Sequence, residues 1–225
     1  MSSLIRSSFL VLIAFMAFGC ASSQPHIDKG EPKRVLGREG DVRIDAQIFN
    51  DRLTPNSAVE VRYEIENFRS HPIAVADLLP ETTYDIESRT ITVKLGSEVP
   101  GNEFLPRLLQ VNSGEKKAFS AGARVNIRLP AGDSSSPFVP FPRYLRVQLH
   151  FLGDVKPFEP LVDIPERAVH DPEMANSLFP AWIENLESVT TNTIPIEWSS
   201  TGDFGSGSDA TTRSPGRRGR RPGVP

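Results

Sequence analysis

The side chains of this chain best suited to chemistry are four histidines, one cysteine, and a serine followed three positions later by a lysine. His26, His71, His150 and His170 show no His-x-x-x-His spacing, and with no Cys-x-x-Cys the ligand pattern of a transition-metal site is missing. His150 falls beside Gln148 on the polar side of an alternating run. His71 precedes Pro72 in a turn, and His170 adjoins Asp171, which is better placed as a helix cap. Ser113-Gly114-Glu115-Lys116 has the Ser-x-x-Lys form of penicillin-recognising enzymes. That chemistry needs its serine at the start of a buried helix with further motifs elsewhere, whereas this one sits in a turn and neither Ser-Asp-Asn nor Lys-Thr-Gly follows. Glu60, Glu64 and Glu66 share a strand face and offer the paired carboxylates of glycoside hydrolysis; with Arg62 between them, a solvated ionic face is the simpler reading. Asp133 stands alone, without the dense acidic run of a calcium loop. Gly205-Ser206-Gly207-Ser208 lacks the strand and helix that a phosphate loop or nucleophile elbow requires. No catalytic residue, metal ligand or cofactor site is therefore expected.

The cysteine has a different context. Arg6 precedes an apolar run from Phe9 to Phe18 that ends in Gly19-Cys20. The run is about half the ~20 residues of a bilayer-spanning helix, so residues 1–19 form a targeting segment. Ala17-Phe18-Gly19-Cys20 resembles the lipobox of bacterial lipoproteins, in which a dedicated peptidase cuts before a lipid-modified cysteine. The resemblance covers the leader alone. It implies acylation of Cys20, palmitate included, and membrane attachment through that lipid. Ala21, in place of the aspartate that retains such proteins at the inner membrane, points to the outer membrane facing the periplasm. A lone free thiol in an oxidising compartment is a liability, which favours the same reading. The alternative is a general secretory signal cleaved within Ala21-Ser22-Ser23.

The scaffold that positions these groups is modest. With 225 residues and net charge −3 there is room for one domain or at most two, which excludes a large multidomain machine. The 20 prolines and 16 glycines signal many turns, and a single cysteine excludes an internal disulfide framework. Apolar and polar residues alternate through Val42, Ile44, Ala46 and Ile48, then Val59, Val61, Tyr63 and Ile65, then Ile91, Val93 and Leu95. The segment from Thr83 to Glu87 makes a hairpin with the last of these through Ser88-Arg89. Leu108 to Val111 leads into an Asn112-Ser113-Gly114-Glu115 turn. Further strands are expected at Val125, Ile127 and Leu129 and at Leu145, Val147, Leu149 and Phe151. Seven or eight short strands broken by turn signals predict an all-β fold, an antiparallel β-sandwich. The stretch Asn67-Phe68-Arg69-Ser70-His71-Pro72-Ile73 is similar to the strand-turn-strand of many immunoglobulin-like bacterial domains, although the antibody-type Cys…Trp…Cys core is absent.

Asp171-Pro172-Glu173 supplies a cap, a first-turn proline and a first-turn acid, predicting a short helix through Leu178 and Phe179 that Pro180 ends or restarts. Residues 181–198, with both tryptophans, are expected to cover one edge and add a final strand. The domain then spans residues 36–198, between a polar tether at 20–35 and a Gly/Ser/Arg-rich tail at 199–225 expected to be disordered.

Charge is unevenly placed. The tail holds five arginines against two aspartates, leaving an acidic body. Arg217, Arg218, Arg220 and Arg221 are candidate contacts to anionic lipid or polymer, against a merely solubilising role. In residues 130–143, Phe138, Val139 and Phe141 alternate with prolines as a candidate partner-binding loop. In the alternative, the rings tuck under the sandwich rim and the prolines guard an edge strand. The expected function is a non-enzymatic binding or envelope-assembly module, lipid-anchored, with an envelope protein as partner and no nucleic acid. A carbohydrate-active accessory or enzyme using Trp182 and Trp198, and anionic docking through the Arg-rich tail, are the alternatives.

Overall fold

The computed structural model describes residues 27, 30, 33–50, 52–96, 103–127 and 140–199. In chain order the strands are β1 (Arg34–Glu39), β2 (Val42–Ile48), the short β3 (Arg52–Leu53), β4 (Ala58–Asn67), β5 (Ile73–Ala76), β6 (Glu81–Asp85) and β7 (Thr90–Leu95). Next come β8 (Phe104–Pro106), β9 (Leu108–Val111), β10 (Lys116–Arg124) and β11 (Tyr144–Leu152). A 3₁₀ turn at Lys156–Leu161 precedes β12 (Ala168–His170), α1 (Pro172–Asn185), β13 (Leu186–Thr190), β14 (Ile194–Pro195) and β15 (Glu197–Trp198).

The fold is an all-β sandwich. One sheet runs β1-β2-β4-β10 and is antiparallel throughout. The other runs β6-β7-β11-β5-β9, with β13 and β14 added along β11. Pairing is antiparallel except where β7 lies beside β11 and in the brief β3–β15 contact. The alternating runs explain the layering: Val42, Ile44, Ala46 and Ile48 of β2 are fully buried and meet Ile91, Val93, Leu145 and Val147 of the second sheet in one core.

β5 does not alternate, and its surroundings say why. Ile73 and Val75 enter the main core, while Ala74 and Ala76 face a second cluster with Phe158, Leu161 and Trp182. A strand covered on both faces reads as a continuous apolar run. The second cluster is the underside of α1 and the 3₁₀ turn, so the sandwich gains a third layer at this end.

α1 begins as expected, the Asp171 carboxylate accepting from the Met174 amide at 2.9 Å. Its end corrects the sequence reading, because α1 passes through Pro180 and stops only at Asn185. Ala175 and Trp182 are buried on either side of the proline, and their burial holds the helix across a ring that would otherwise break it. A second correction concerns the strand expected from Val125 onward: the ladder is β10, Lys116–Arg124. Val125 continues its pairing by donating to Ser57 O at 2.9 Å, and Leu129 lies outside the described residues. β1 reaches back to Arg34 and Val35, at the end of the expected tether, and Val35 is fully buried.

One side of the sandwich is laced shut. Leu36 N donates to Asn192 Oδ1 at 2.7 Å and Asn192 N donates to Leu36 O at 2.9 Å. The sheets come so close here that a Cβ on Gly37 would stand 2.6 Å from Thr190 O, a contact only glycine avoids. Near the end of β11, Arg69 donates from Nη1 to Glu187 Oε1 at 2.7 Å, with its guanidinium 5.3 Å from the Phe151 ring centroid. The hydrogen bonds from Arg69 hold the Glu187 carboxyl below its ordinary range. A lowered folded value stabilises fully above the unfolded value of about 4.3 and is lost as pH falls through the folded one. Glu187→Gln is accordingly expected to lower the urea midpoint at neutral pH, with the gap to the parent closing below about pH 4. Partial exposure of Glu187 keeps that gap modest.

Candidate binding site at an open sheet edge

The opposite side of the sandwich is not laced. β10 is the outer strand of the first sheet, bonded to β4 alone. The parity of its ladder follows from both ends: Asn67 N donates to Glu115 O at 3.0 Å and Val125 N donates to Ser57 O at 2.9 Å. Odd-numbered residues thus bond to β4, and the amides and carbonyls of Ala118, Ser120 and Gly122 point away from it. At the two ends the second sheet touches this edge. Thr82 Oγ1 donates to Arg124 O at 2.8 Å, and Lys117 Nζ donates to Gln110 O at 2.8 Å. Between these contacts the sheets stand apart.

The gap is a groove of about 270 Å³ under the β5–β6 connection. Its floor is Tyr63 stacked on Phe119, centroids 5.3 Å apart, and its lip is Leu79, which is 71% exposed. Asp77 closes one end, held by Arg107 Nη2 at 2.5 Å and Arg167 Nη2 at 3.2 Å. Burial, helped by the Asp77 charge, pushes the Tyr63 phenol above its ordinary range, so it stays protonated. A second concavity flanks β10 on the outer face, where Arg62 lies 4.6 Å from the Phe49 ring centroid beside Ser120 and Gly122. Aromatic and aliphatic walls with fixed polar ends suit binding of an apolar side chain. Asp77 and Arg167 are tied to each other in an ion pair rather than aimed into the groove at a common point.

The residues singled out by chemistry are dispersed. The Ser113 hydroxyl donates to Arg69 O at 2.7 Å in the expected turn, while Lys116 pairs with Glu64 at 2.6 Å, so the Ser-x-x-Lys pair is not assembled. Glu66 faces Arg43 at 3.7 Å, and the carboxylates of β4 form the ionic face read from the sequence. His170 stacks edge-on to Phe104 at 4.9 Å. Trp182 is 1% exposed and Trp198 packs half-buried against the main core, so neither forms an exposed platform. Among the described residues no group of three His, Cys, Asp or Glu is placed to hold a metal ion, and no helix is long and apolar enough to cross a membrane.

Cys20, Phe138, Val139, Arg217, Arg218, Arg220 and Arg221 lie outside the described residues. Phe141 is 40% exposed at the start of β11, beside the Pro140 carbonyl that accepts from Tyr84 Oη, and it does not line the groove. The groove itself escaped the sequence reading because β10, Lys-Lys-Ala-Phe-Ser-Ala-Gly-Ala-Arg, shows almost no apolar alternation. The available signal was small residues bounded by cations, which is how edge strands look. No protein-family model, curated protein or solved structure matches this chain.

Proposed function

We propose that this chain is a non-enzymatic binding module of a bacterial envelope, tethered through a lipid on Cys20 and engaging an envelope protein through the open side of its sandwich. The observation that carries the reading is the asymmetry of the two sides: hydrogen bonds join β1 to Asn192 on one, while on the other an unbonded strand edge overlies a groove lined by Tyr63, Phe119 and Leu79. A monomer rarely leaves an open strand edge beside a cleft without a use for it. The leader and the Ala21 position support the location, and several acyl chains would hold the protein firmly where a single chain binds marginally.

Two measurements test this. Cys20→Ala is expected to abolish palmitate incorporation and release the protein from the membrane fraction; equal labelling and retention of both proteins would remove the anchor. A photo-crosslinking residue at Leu79 is expected to give a discrete protein adduct in intact cells, absent when the same residue replaces the exposed Glu39 on β1, at the opposite edge of the first sheet. No adduct at Leu79 would remove the binding role of this side.

A further inference from the structure

The reading of the open side as a binding surface leaves the chemistry of the partner unstated, and β10 supplies it. Its composition is the informative part. Lys116 and Lys117 stand at one end, Arg124 at the other, and the strand holds no acidic residue, on a body that is otherwise acidic. Between the cations lie small side chains. A Cβ added at Gly122 would meet nothing within 4 Å, so nothing packs over the outer face of the strand there. Ala121 and Ala123 face inward opposite Val61 and Val59, and their small size leaves room beside Phe119.

We propose that β10 takes an extended, acid-flanked peptide segment of a partner protein as a fifth strand of the first sheet, one of its apolar side chains entering the groove between Leu79 and Phe119. The amides and carbonyls of Ala118, Ser120 and Gly122 form the ladder. Acidic residues at the ends of the guest face Lys117 and Arg124, which has no ion pair among the described residues. A second copy of this chain is the wrong guest. Antiparallel self-pairing about Ser120 would set Lys116, which already pairs with Glu64, opposite Arg124, and Arg124 would find no acidic residue on the facing strand. The same cations that gain nothing from a copy attract an acidic strand, so the edge favours its partner over itself.

Edge parity makes the test clean. The Ser120 amide points away from β4, so Ser120→Pro removes no ladder bond of the fold and removes the central donor of the docking edge. The probe is a synthetic peptide, Asp-Glu-Thr-Val-Leu-Val-Thr-Glu-Asp, titrated calorimetrically into the full mature chain, beside the same peptide N-methylated at its central residues and a version with lysine ends. The acidic peptide is expected to bind and to slow hydrogen exchange of the Ala118, Ser120 and Gly122 amides. N-methylation at the central residues is expected to weaken binding about a hundredfold, the worth of two or three lost ladder bonds, and Ser120→Pro about tenfold, the worth of one. The lysine-ended peptide is expected not to bind.

Equal binding of the N-methylated peptide, preference for lysine ends, or no binding of the acidic peptide would overturn strand addition. So would edge amides already protected in a peptide-free dimer, which would make the guest a second copy. Gly122→Pro, whose amide points the same way, serves if Ser120→Pro lowers the unfolding midpoint. The proposal rests on the binding-module reading, and the two fail differently. Without a binding role, crosslinks from Leu79 disappear altogether; with binding but no strand addition, they persist in Ser120→Pro.

Discussion

Exchanging Asn67 for Asp is expected to cost more stability than truncating it to Ala, although Asp is the closer match in shape. Asn67 ends β4, is fully buried, and its Nδ2 donates to His71 O at 2.9 Å, Val111 O at 3.1 Å and Asn112 O at 3.2 Å. Its Oδ1 accepts from Arg69 N at 3.0 Å, and its backbone bonds both Gly114 and Glu115. One amide thus ties the end of the first sheet to the entry of β5 and to the β9–β10 turn. Ala removes that donor from His71 O and Val111 O, while Asn112 O keeps the Glu115 amide at 3.0 Å, at a cost of about 2–3 kcal/mol. Asp replaces the donor by an oxygen that faces the same carbonyls, at about 3–5 kcal/mol when ionised, the range for an uncompensated buried charge. Burial raises the folded-state value of that carboxyl above the unfolded ~3.9. The Asp deficit is therefore smallest below about pH 4, grows as pH rises, and levels off above the folded value. Urea midpoints of both variants against the parent at pH 4 and pH 7 check the order and the sign. An Asp variant as stable as Ala at neutral pH would show that water reaches the site.

The second large effect belongs to Trp182. It is 1% exposed, meets Phe158 edge-on at 5.4 Å between centroids, and joins α1 to Leu105, Leu108 and Leu152. Trp182→Ala opens a cavity at the heart of the second cluster and is expected to cost about 3–5 kcal/mol, a large share of the ~5–15 kcal/mol of an ordinary domain. The loss should be uneven, since the main core is built without α1 and Trp182 is not part of it. Helical circular dichroism is expected to fade at lower urea than the strand signal. Because the indole Nε1 makes no hydrogen bond, Trp182→Phe gives up only volume, at about 1–2 kcal/mol. Coincident helix and strand transitions in Trp182→Ala would mean that the layers unfold as one.

The strands legible in the sequence were β2, β4, β7 and β11, where apolar and polar residues alternate; burial follows that alternation in β4 and through most of β11, whereas β2 and β7 are buried at nearly every residue. Elements in other surroundings were harder. β5 is covered on both faces and so lost its period, and β10 borders a groove on its inner face, where Phe119 is its one bulky apolar residue. α1 outlasts Pro180 because Ala175 and Trp182 anchor it by tertiary contacts that no local pattern encodes. The cap at Asp171 and the turn at Ser113 are local chemistry and were readable. The open edge was not, because it depends on which strand lies outermost, and order in a sheet is set by pairings far apart in the chain.

The position of β11 has a consequence for how the chain is made. This one strand pairs with β7, β5, β13 and β14, so it is the hub on which the second sheet closes. Its parallel neighbour β7 ends at Leu95 and β11 begins only at Tyr144, with β10 of the other sheet in between. A sheet assembled around so late a strand has high contact order and folds slowly. Until residue 152 emerges, β5 and β7 lack their central partner, although the first sheet is complete by Arg124. Delay of this kind would suit the export proposed above, because passage through a membrane channel demands an extended chain. It also leaves hydrophobic strands uncovered for longer, which exposes the chain to aggregation until β11 arrives.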